Sequence, residues 1–274
     1  MSRASDAARP AARSAVRALS RALPWAYLAG AFAFVYAPVA VLVLFSLQES
    51  RLPVPPFDGP SLRWYADVLG DDDLVDALVN SGLVAAGSAA AATLLGFLAA
   101  WGLARHAPPG AGGLRLLMIA PLTVSYLIVG LGLLALFGEA GVGLSLWTAA
   151  VGHVVITLPL AFAILAASIG AEEIRLDRAA RDLGAGGLAA LGLVVAPAVA
   201  PSLAAAFLLS MTLSWDEFVI AFLLTRFDVT LPVEIWNLLR SGLSPRLNAV
   251  GSVVFLVSVA AVVAVELAVL RPRR

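Results

Sequence analysis

Two adjacent carboxylates interrupt an otherwise apolar run between Leu213 and Ile220. A carboxylate inside a membrane span costs a few kcal/mol and by default marks a solute pathway, a partner charge or a water-filled cavity. On a helix, Asp216 and Glu217 point about 100° apart, so at most one is expected to face squarely away from lipid. The functional hypothesis is that these carboxylates, flanked by Trp215 and Phe218, line an outward-facing vestibule for a cationic solute.

The depth of these carboxylates leaves two other interpretations open. Counted from Pro197, Asp216 lies roughly 28 Å along an ideal helix, in the outer half of a membrane. Asp216 and Glu217 could equally form a subunit-interface ion pair or stand at the lipid headgroups.

Other residues that could do chemistry do not form a catalytic or metal-binding pattern. The acids Asp71 to Asp73 and Asp76 are typical of a solvated helix start, since no second ligand set follows at binding-loop spacing. His106 and His153 lie in different segments, which favours satisfied or interfacial histidines over metal ligands. The chain has no cysteine. We therefore expect no catalytic residue, no metal and no cofactor on this chain.

Lysine is absent too, and all 18 basic residues are arginines. A phosphate-binding loop of the Gly-x-x-x-x-Gly-Lys-Ser/Thr type needs a lysine, so the sequence predicts no ATP site of that kind. The formal net charge of zero does not indicate nucleic acid as a partner. The prediction is a protein that is not an enzyme.

Composition places the chain in a membrane. It is 61% hydrophobic and 13% charged, with a mean hydropathy of +0.95, far from the balance of a soluble domain. The pattern predicts an all-α polytopic membrane protein, with an Arg-rich tail over 1–22 and a single transmembrane domain over 23–274. The six predicted spans are 23–47, 77–103, 114–137, 144–169, 194–225 and 248–270.

The arginines predict the orientation. With the N-terminus inside, thirteen of the 18 lie in cytoplasmic segments and five in outer ones. The positive-inside rule then places both termini, and the polar segment before the fifth span, in the cytoplasm.

That polar segment, 172–193, is a charged amphipathic island between two long apolar segments. Leu176, Ala180 and Leu183 recur at helical spacing and form one apolar face. The pairs Asp177 to Arg181 and Arg178 to Asp182 are expected to support an exposed helix. Gly184 stands where a left-handed residue could end that helix. A glycine turn at 186–187 and a second short helix over 188–195 follow, ending at Pro197.

This island resembles the cytoplasmic EAA motif of ABC importer permeases, whose coupling helices sit in a groove of the ATP-binding subunit. Ala179-Ala180, Gly184, Val194 and Pro197 carry the resemblance, while Arg178 replaces the usual Glu and Ala196 the usual Leu. Asp177, Glu172 or Glu173 could supply the missing acid. The expected ATPase-coupling residues are Asp177, Arg178, Ala179, Ala180, Asp182, Leu183, Gly184, Ala185, Val194 and Pro197.

A narrower resemblance links the chain to the spermidine/putrescine-type branch of these permeases. It rests on the acidic run before Ile220, on the Trp-Tyr pair at 64–65 and on the segment 230–253, TLPVEIWNLLRSGLSPRLNAVGSV. In such systems the outer region meets the solute-binding protein. The candidate contacts implied here are Leu231, Pro232, Ser244, Pro245 and Asn248.

The resemblance implies the type I ABC importer permease fold in a bacterial inner membrane. It also implies the partners: two copies of an ABC ATPase that bind ATP and Mg²⁺, a second permease expected to be a different homologous chain, an extracytoplasmic binding protein, and membrane lipid. Polyamines are the expected solute. Iron(III) or thiamine on the same architecture stays open, as does a secondary transporter, although that class needs more intramembrane carboxylates than Asp216 and Glu217.

Overall fold

A computed structural model describes residues 4–242 and 244–270, with side-chain burial from residue 23 to 260 apart from 243, and at 263. The described residues contain helices and no strand; Gln48 and Pro60 form an isolated β-bridge. The arginines predicted at the cytoplasmic C-terminus lie outside these residues. The structure therefore has the all-α architecture that the composition predicts.

The helices are numbered here in chain order. They are α1 (Ala4–Ser46), α2 (Arg63–Leu69), α3 (Asp72–His106), α4 (Ala111–Ile119), α5 (Tyr126–Glu139), α6 (Leu146–Ser168), α7 (Ala171–Asp182), α8 (Gly187–Ala190), α9 (Ala196–Ala198), α10 (Ala200–Trp215), α11 (Val219–Leu224), α12 (Leu231–Ser241) and α13 (Pro245–Leu270). A 3₁₀ turn, Ala120–Thr123, follows α4, and a π turn, Leu191–Val195, follows α8.

The chain forms two compact units. One contains α1, the loop up to Val68 and most of α13. Its loop is held by the buried Gln48 amide, which donates to the carbonyls of Val54 and Pro56, while the Trp64 indole donates to the Gln48 carbonyl at 2.7 Å. The helix α1 begins at Ala4, so the helical backbone extends into the Arg-rich segment that precedes the first predicted span.

The other unit, from Leu69 to Gly242, is a bundle in which α3, α6 and α10 pack together. Close approach of α3 to α6 depends on Gly96, because a Cβ built there would lie 2.9 Å from the Phe162 backbone nitrogen. Small residues let helices approach in lipid, where packing drives association. Around this contact lies a buried cluster with Phe97, Phe162 and Leu165 at its centre.

A second buried cluster forms where α11 packs against α5 and α6. Its fully buried members include Ala149, Ile220 and Leu224. Gly152 makes room for it, since a Cβ at that position would lie 2.4 Å from Cγ2 of Ile220. The short helix α11 is thereby held deep in the unit.

Within the described residues, three helices are long and apolar enough to cross a membrane: Leu23–Ser46, Asp72–His106 and Leu146–Ser168. Up to five spans result if each of two bent helix pairs is one span. Of the sixth predicted span, the described apolar part is Pro245–Ala260. The chain is thus a multi-pass membrane protein, and its count of six spans stays a prediction.

The third and fifth predicted spans differ from the continuous helices that the hydrophobic runs indicate. The third bends by 101° between Ala111–Thr123 and Tyr126–Glu139, and the fifth by 81° between Gly187–Ala198 and Ala200–Trp215. A proline stands next to each break: Pro121 lies in the 3₁₀ turn before the first, and Pro201 lies in the first turn of α10 after the second, a position that proline tolerates. The fifth span breaks again between Trp215 and Val219, beside the two carboxylates. The straight helix from which we inferred the depth of Asp216 is therefore not formed, and that depth stays a prediction.

Candidate functional site

The predicted coupling island folds as a helical hairpin. Its first helix is α7, which begins at Ala171, and Glu173 accepts a hydrogen bond from the Gly170 backbone N–H at 2.8 Å. The second part runs through α8, the π turn and α9 up to Ala198, so it extends beyond the predicted helix 188–195. Insertion of a π turn keeps the backbone helical through Pro197, which stands near the start of α9.

Gly184 ends the first helix as its position predicts. Its φ is +92°, a conformation that costs a side-chain-bearing residue energy. The Gly184 N–H donates to the Arg181 carbonyl at 2.8 Å and the Ala185 N–H to the Ala180 carbonyl at 3.0 Å. This pair of bonds is a Schellman motif, which closes the turn between the two parts of the hairpin.

The helix α7 packs on the bundle with one apolar residue, Ile174, and one buried acid, Asp177. Asp177 is 1% exposed. Its Oδ2 lies 3.1 Å from Nε of Arg181 and 3.6 Å from Nε of Arg105 at the end of α3. We name these three residues the α7 clasp. The Asp177–Arg181 pair forms as predicted, but it is not the solvent-exposed pair that we expected.

The predicted second pair, Arg178 with Asp182, is not formed, although both residues are described and exposed. Glu172 instead pairs with Arg175 on the exposed side of α7. Neither Glu172 nor Glu173 contacts the bundle through its carboxylate. Of the three acids that could replace the missing motif Glu, Asp177 is the one with a buried ionic contact.

The apolar face of the hairpin is left uncovered by this chain. Leu183 is 91% and Leu188 82% exposed, and Leu176 and Leu193 are exposed as well. We name these four leucines the open leucine face. Other predicted coupling residues on the exposed surface are Arg178, Ala179, Asp182, Gly184 and Pro197, whereas Ala180, Ala185 and Val194 are half-buried. Leu176 on α7 and Leu183 directly after it lie outside the candidate spans, and an exposed apolar surface there is typical of a protein-binding site. Leu188 and Leu193 lie on Gly187–Ala198, which is half of a bent span candidate.

The two adjacent carboxylates, Asp216 and Glu217, lie in different environments. Asp216 is exposed, while Trp215 and Phe218 are half-buried. Glu217 is buried, and its carboxylate accepts hydrogen bonds from the N–H groups of Val219 and Ile220 at 2.9 and 2.8 Å. This difference agrees with the expectation that at most one of the two carboxylates faces squarely away from lipid. Glu217 caps α11 inside the bundle. The predicted pathway lining of Trp215, Asp216, Glu217 and Phe218 stays a prediction, and Asp216 is its exposed acid.

Glu217 belongs to a buried polar cluster that spans four elements. The Ser214 hydroxyl lies 2.6 Å from His153 Nδ1 and 2.9 Å from the Ser88 hydroxyl. His153 Nε2 is 3.7 Å from Glu217 Oε2. His153 is thus a core histidine, as the sequence favours, with Nδ1 hydrogen-bonded to Ser214 and Nε2 without a hydrogen bond. Ser88 and Ser214 were missed because a serine in a small-residue helix carries no distinctive sequence signal.

The predicted binding-protein contacts fall into different environments. Leu231 and Pro245 are buried, whereas Pro232, Ser244 and Asn248 are half-buried. The Leu231 N–H donates to the Ser81 hydroxyl at 2.8 Å, which ties the start of α12 to α3. Leu231 and Pro245 are therefore core residues, and their side chains do not offer a surface to a partner. Among the described residues, no group of three or more His, Cys, Asp or Glu side chains could hold a metal ion.

Solved structures define the class of protein to which this fold belongs. A bacterial ABC transporter involved in the import of alginate matches with a TM-score of 0.66 at 18% identity, over 92% of this chain and 96% of that one. Its complex with an alginate-bound periplasmic protein matches with a TM-score of 0.63 at 16% identity, over 92% and 94%. The fold is that of an ABC importer permease.

Curated relatives narrow the class to a family. The spermidine/putrescine transport system permease protein PotC of Escherichia coli (strain K12) is 29% identical over 88% of this chain and 91% of PotC. The putrescine transport system permease protein PotI of the same strain is 33% identical over 84% of this chain and 85% of PotI. No protein-family model matches. The chain belongs to the family of ABC transport permeases that contains PotC and PotI, and is a transport component rather than an enzyme.

Proposed function

We propose that the chain is the membrane-spanning permease subunit of an ATP-driven importer that moves polyamines such as spermidine and putrescine into a bacterium across its inner membrane. The observation that carries the proposal is the hairpin of α7 and α8, which presents the open leucine face in a chain of the PotC and PotI family. The exposed leucines on and just after α7, which is not among the candidate spans, call for a protein partner.

The partner at the hairpin is an ABC ATPase, present in two copies and carrying ATP and Mg²⁺. Support comes from the absence of lysine in this chain, which leaves no phosphate-binding loop of the usual type. Leu183 and Leu188 would insert into the ATPase groove, and Gly184 between them would keep the hairpin turn tight. Both termini and the hairpin lie in the cytoplasm, on the grounds of the arginine distribution.

The remaining partners lie in and beyond the membrane. A second permease, a homologous but different chain, would cover exposed apolar side chains of the spans together with lipid. An extracytoplasmic binding protein would deliver the solute to the outer surface, where α12 exposes Trp236 and Leu239. The structure of the related alginate transporter with a periplasmic protein supports such an arrangement.

Polyamines are proposed as the solute because PotC and PotI, by their names, transport spermidine and putrescine. The exposed carboxylate of Asp216 fits that solute, since a polycation passing an anionic side chain in a low-dielectric path is attracted to it. Trp215 and Phe218 border the carboxylate in sequence, and the Phe218 ring packs against the Trp236 ring at a tilt of 53°, with centroids 5.7 Å apart.

Uptake by proteoliposomes tests the proposal. The chain would be purified with its ATPase and second permease, reconstituted, and supplied with binding protein outside and ATP inside. Spermidine uptake that requires both ATP and the binding protein is the expected result. Uptake that continues without ATP but follows an ion gradient would indicate a secondary transporter instead, and ATP-dependent uptake of iron(III) or thiamine alone would contradict the polyamine assignment.

A further inference from the structure

The helix α3 is the longest uninterrupted helix between Leu69 and Gly242. It runs for 35 residues, contains no proline, and is capped at its start by the Asp71 side chain, which accepts from the Leu74 N–H at 3.1 Å. Two other span candidates in this unit bend by 101° and 81°. A continuous helix transmits displacement along its axis better than a broken one, because its backbone hydrogen bonds are all intact.

One end of α3 contacts the coupling hairpin through the α7 clasp. Arg105 lies one residue before the end of α3, and its Nε is 3.6 Å from Oδ2 of the buried Asp177. The Arg105 guanidinium also lies over the Trp101 ring, 5.1 Å from its centroid, and this contact restricts the positions that the guanidinium can take. The interaction is an ion pair without a direct hydrogen bond, strengthened by the burial of Asp177.

The other end of α3 holds the segment that leads into α12. Asn80 donates from Nδ2 to the Val229 carbonyl at 3.2 Å, and the Ser81 hydroxyl accepts from the Leu231 N–H at 2.8 Å. Ser81 and Leu231 are buried. Along the helix, Ser81 and Arg105 are about 36 Å apart. These two contacts sit at opposite ends of the same rigid element.

We propose that Arg105 is a positioning residue for transport, which ties the coupling helix α7 to α3 through Asp177 so that α3 carries the movement of α7 to the Val229–Leu231 segment and α12. This inference rests on the proposed function and adds to that function a path for movement, from α7 through α3 to α12. Along the chain, α7 is connected only to α6 before it and to α8 after it. The α7 clasp provides a further contact, with α3. Through α3, a movement of α7 reaches the start of α12, on the side that we assign to the binding protein.

Substitution of Arg105 separates docking from transmission. In Arg105→Gln, Asp177 keeps its hydrogen-bonded partner Arg181, so the hairpin is expected to stay folded and to keep the ATPase bound. ATP hydrolysis stimulated by the solute-loaded binding protein should fall about tenfold, a typical size for a coupling between sites, while unstimulated hydrolysis is retained. Arg105→Lys keeps the charge and should restore most of the stimulation.

The matched control is Arg115→Gln, which removes an exposed arginine of α4 that the arginine count also assigns to the cytoplasmic side. Stimulation equal to that of the unmodified chain is expected. If Arg105→Gln is stimulated as fully as Arg115→Gln, the positioning role is overturned. Loss of ATPase binding in Arg105→Gln would overturn it as well, because the residue would then act in docking.

A fluorescent label on α12 reports the transmission directly. The chain has no cysteine, so Asn237→Cys provides a single labelling site on the exposed side of α12. ATP binding to the assembled transporter should change the emission of the label, and Arg105→Gln should abolish that change. An unchanged response in Arg105→Gln, or no response in the otherwise unmodified chain, contradicts the proposal.

The two proposals fail in distinguishable ways. If the unmodified chain does not co-purify with an ABC ATPase, the proposed function itself fails. If it does co-purify and supports ATP-driven uptake, but the Arg105→Gln variant responds normally in both experiments, only the role of Arg105 is lost.

Discussion

Glu217 and His153 meet inside the helix bundle, with Oε2 of Glu217 3.7 Å from Nε2 of His153 and both side chains at most 4% exposed. The same carboxylate caps the start of α11 through two backbone N–H groups. Asp216, the preceding residue, is exposed. Two neighbouring acids of the same class thus have opposite environments, and their roles should separate by experiment.

Glu217→Gln is expected to destabilise the protein, because a neutral amide accepts the two backbone N–H groups of α11 less well than a carboxylate does. Hydrogen bonds to a charged group contribute about 1.5–3 kcal/mol, so a loss of that order is expected. Thermal unfolding of the detergent-solubilised chain measures it. Asp216→Asn is the matched control and should leave the unfolding temperature unchanged; a larger loss there than in Glu217→Gln would contradict the capping role.

Asp216→Asn should instead impair transport. Removing an exposed anion from the proposed path of a polycation is expected to lower the rate of spermidine uptake about tenfold, which corresponds to about 1.4 kcal/mol. Initial rates of labelled uptake measure the effect. Asp228→Asn neutralises another exposed acid beyond α11 and serves as the control. Normal uptake in Asp216→Asn would remove this residue from the pathway.

Gly184→Trp should abolish association with the ATPase. The backbone at Gly184 has a φ of +92°, and the indole would project from the hairpin turn between Leu183 and Leu188. Co-purification from membranes measures the association. Gly141→Trp is the control, since Gly141 also has a positive φ, +68°, and is exposed but lies on the predicted outer side. Retained association with full transport in Gly184→Trp would contradict docking at the hairpin.

Gly96→Ala should destabilise the contact between α3 and α6. The added methyl group would lie 2.9 Å from the Phe162 nitrogen and 3.1 Å from the Ala161 carbonyl carbon, both of them backbone atoms that yield little. Overpacking of this kind costs about 1–3 kcal/mol. Gly87→Ala in the same helix has no atom within 4 Å of the new methyl group. Thermal unfolding of the two variants should differ; equal unfolding temperatures would show that the helices can separate without cost.

The positions of the apolar segments could be predicted from the sequence, but the bends in them could not. Hydrophobic runs locate α3 and α6 within a few residues, because length and hydropathy alone decide whether a helix can span. Pro121 and Pro201 are visible in the sequence as sites of weakened hydrogen bonding. The bend at each of them depends on which neighbouring helix the following segment packs against, and that is tertiary information.

The hairpin of α7 and α8 also has features that the local sequence predicts and features that depend on tertiary packing. The helix stop at Gly184 is predictable because a left-handed conformation is a local preference of glycine. The burial of Asp177 is not, since amphipathic periodicity places the apolar face of a helix inward, whereas here Leu176 and Leu183 are exposed. A buried carboxylate in that island requires a cation nearby. The sequence offers Arg105, which follows the predicted span 77–103 on the predicted cytoplasmic side.

The two carboxylates illustrate a third limit. Helical geometry predicts that Asp216 and Glu217 diverge, but which one points inward depends on the break between Trp215 and Val219. That break lets Glu217 turn back to cap α11. A capping role would have been inferred only from knowing that a new helix begins at Val219.

Uptake of labelled spermidine and putrescine by living cells tests the central claim most directly. The bacterium that carries this chain would be compared with a strain lacking it and with the complemented strain, with ferric iron and thiamine as control solutes. The account predicts that polyamine uptake falls in the deletion strain, that uptake of the control solutes does not, and that complementation restores it. Unchanged polyamine uptake together with loss of uptake of another solute would contradict the polyamine assignment.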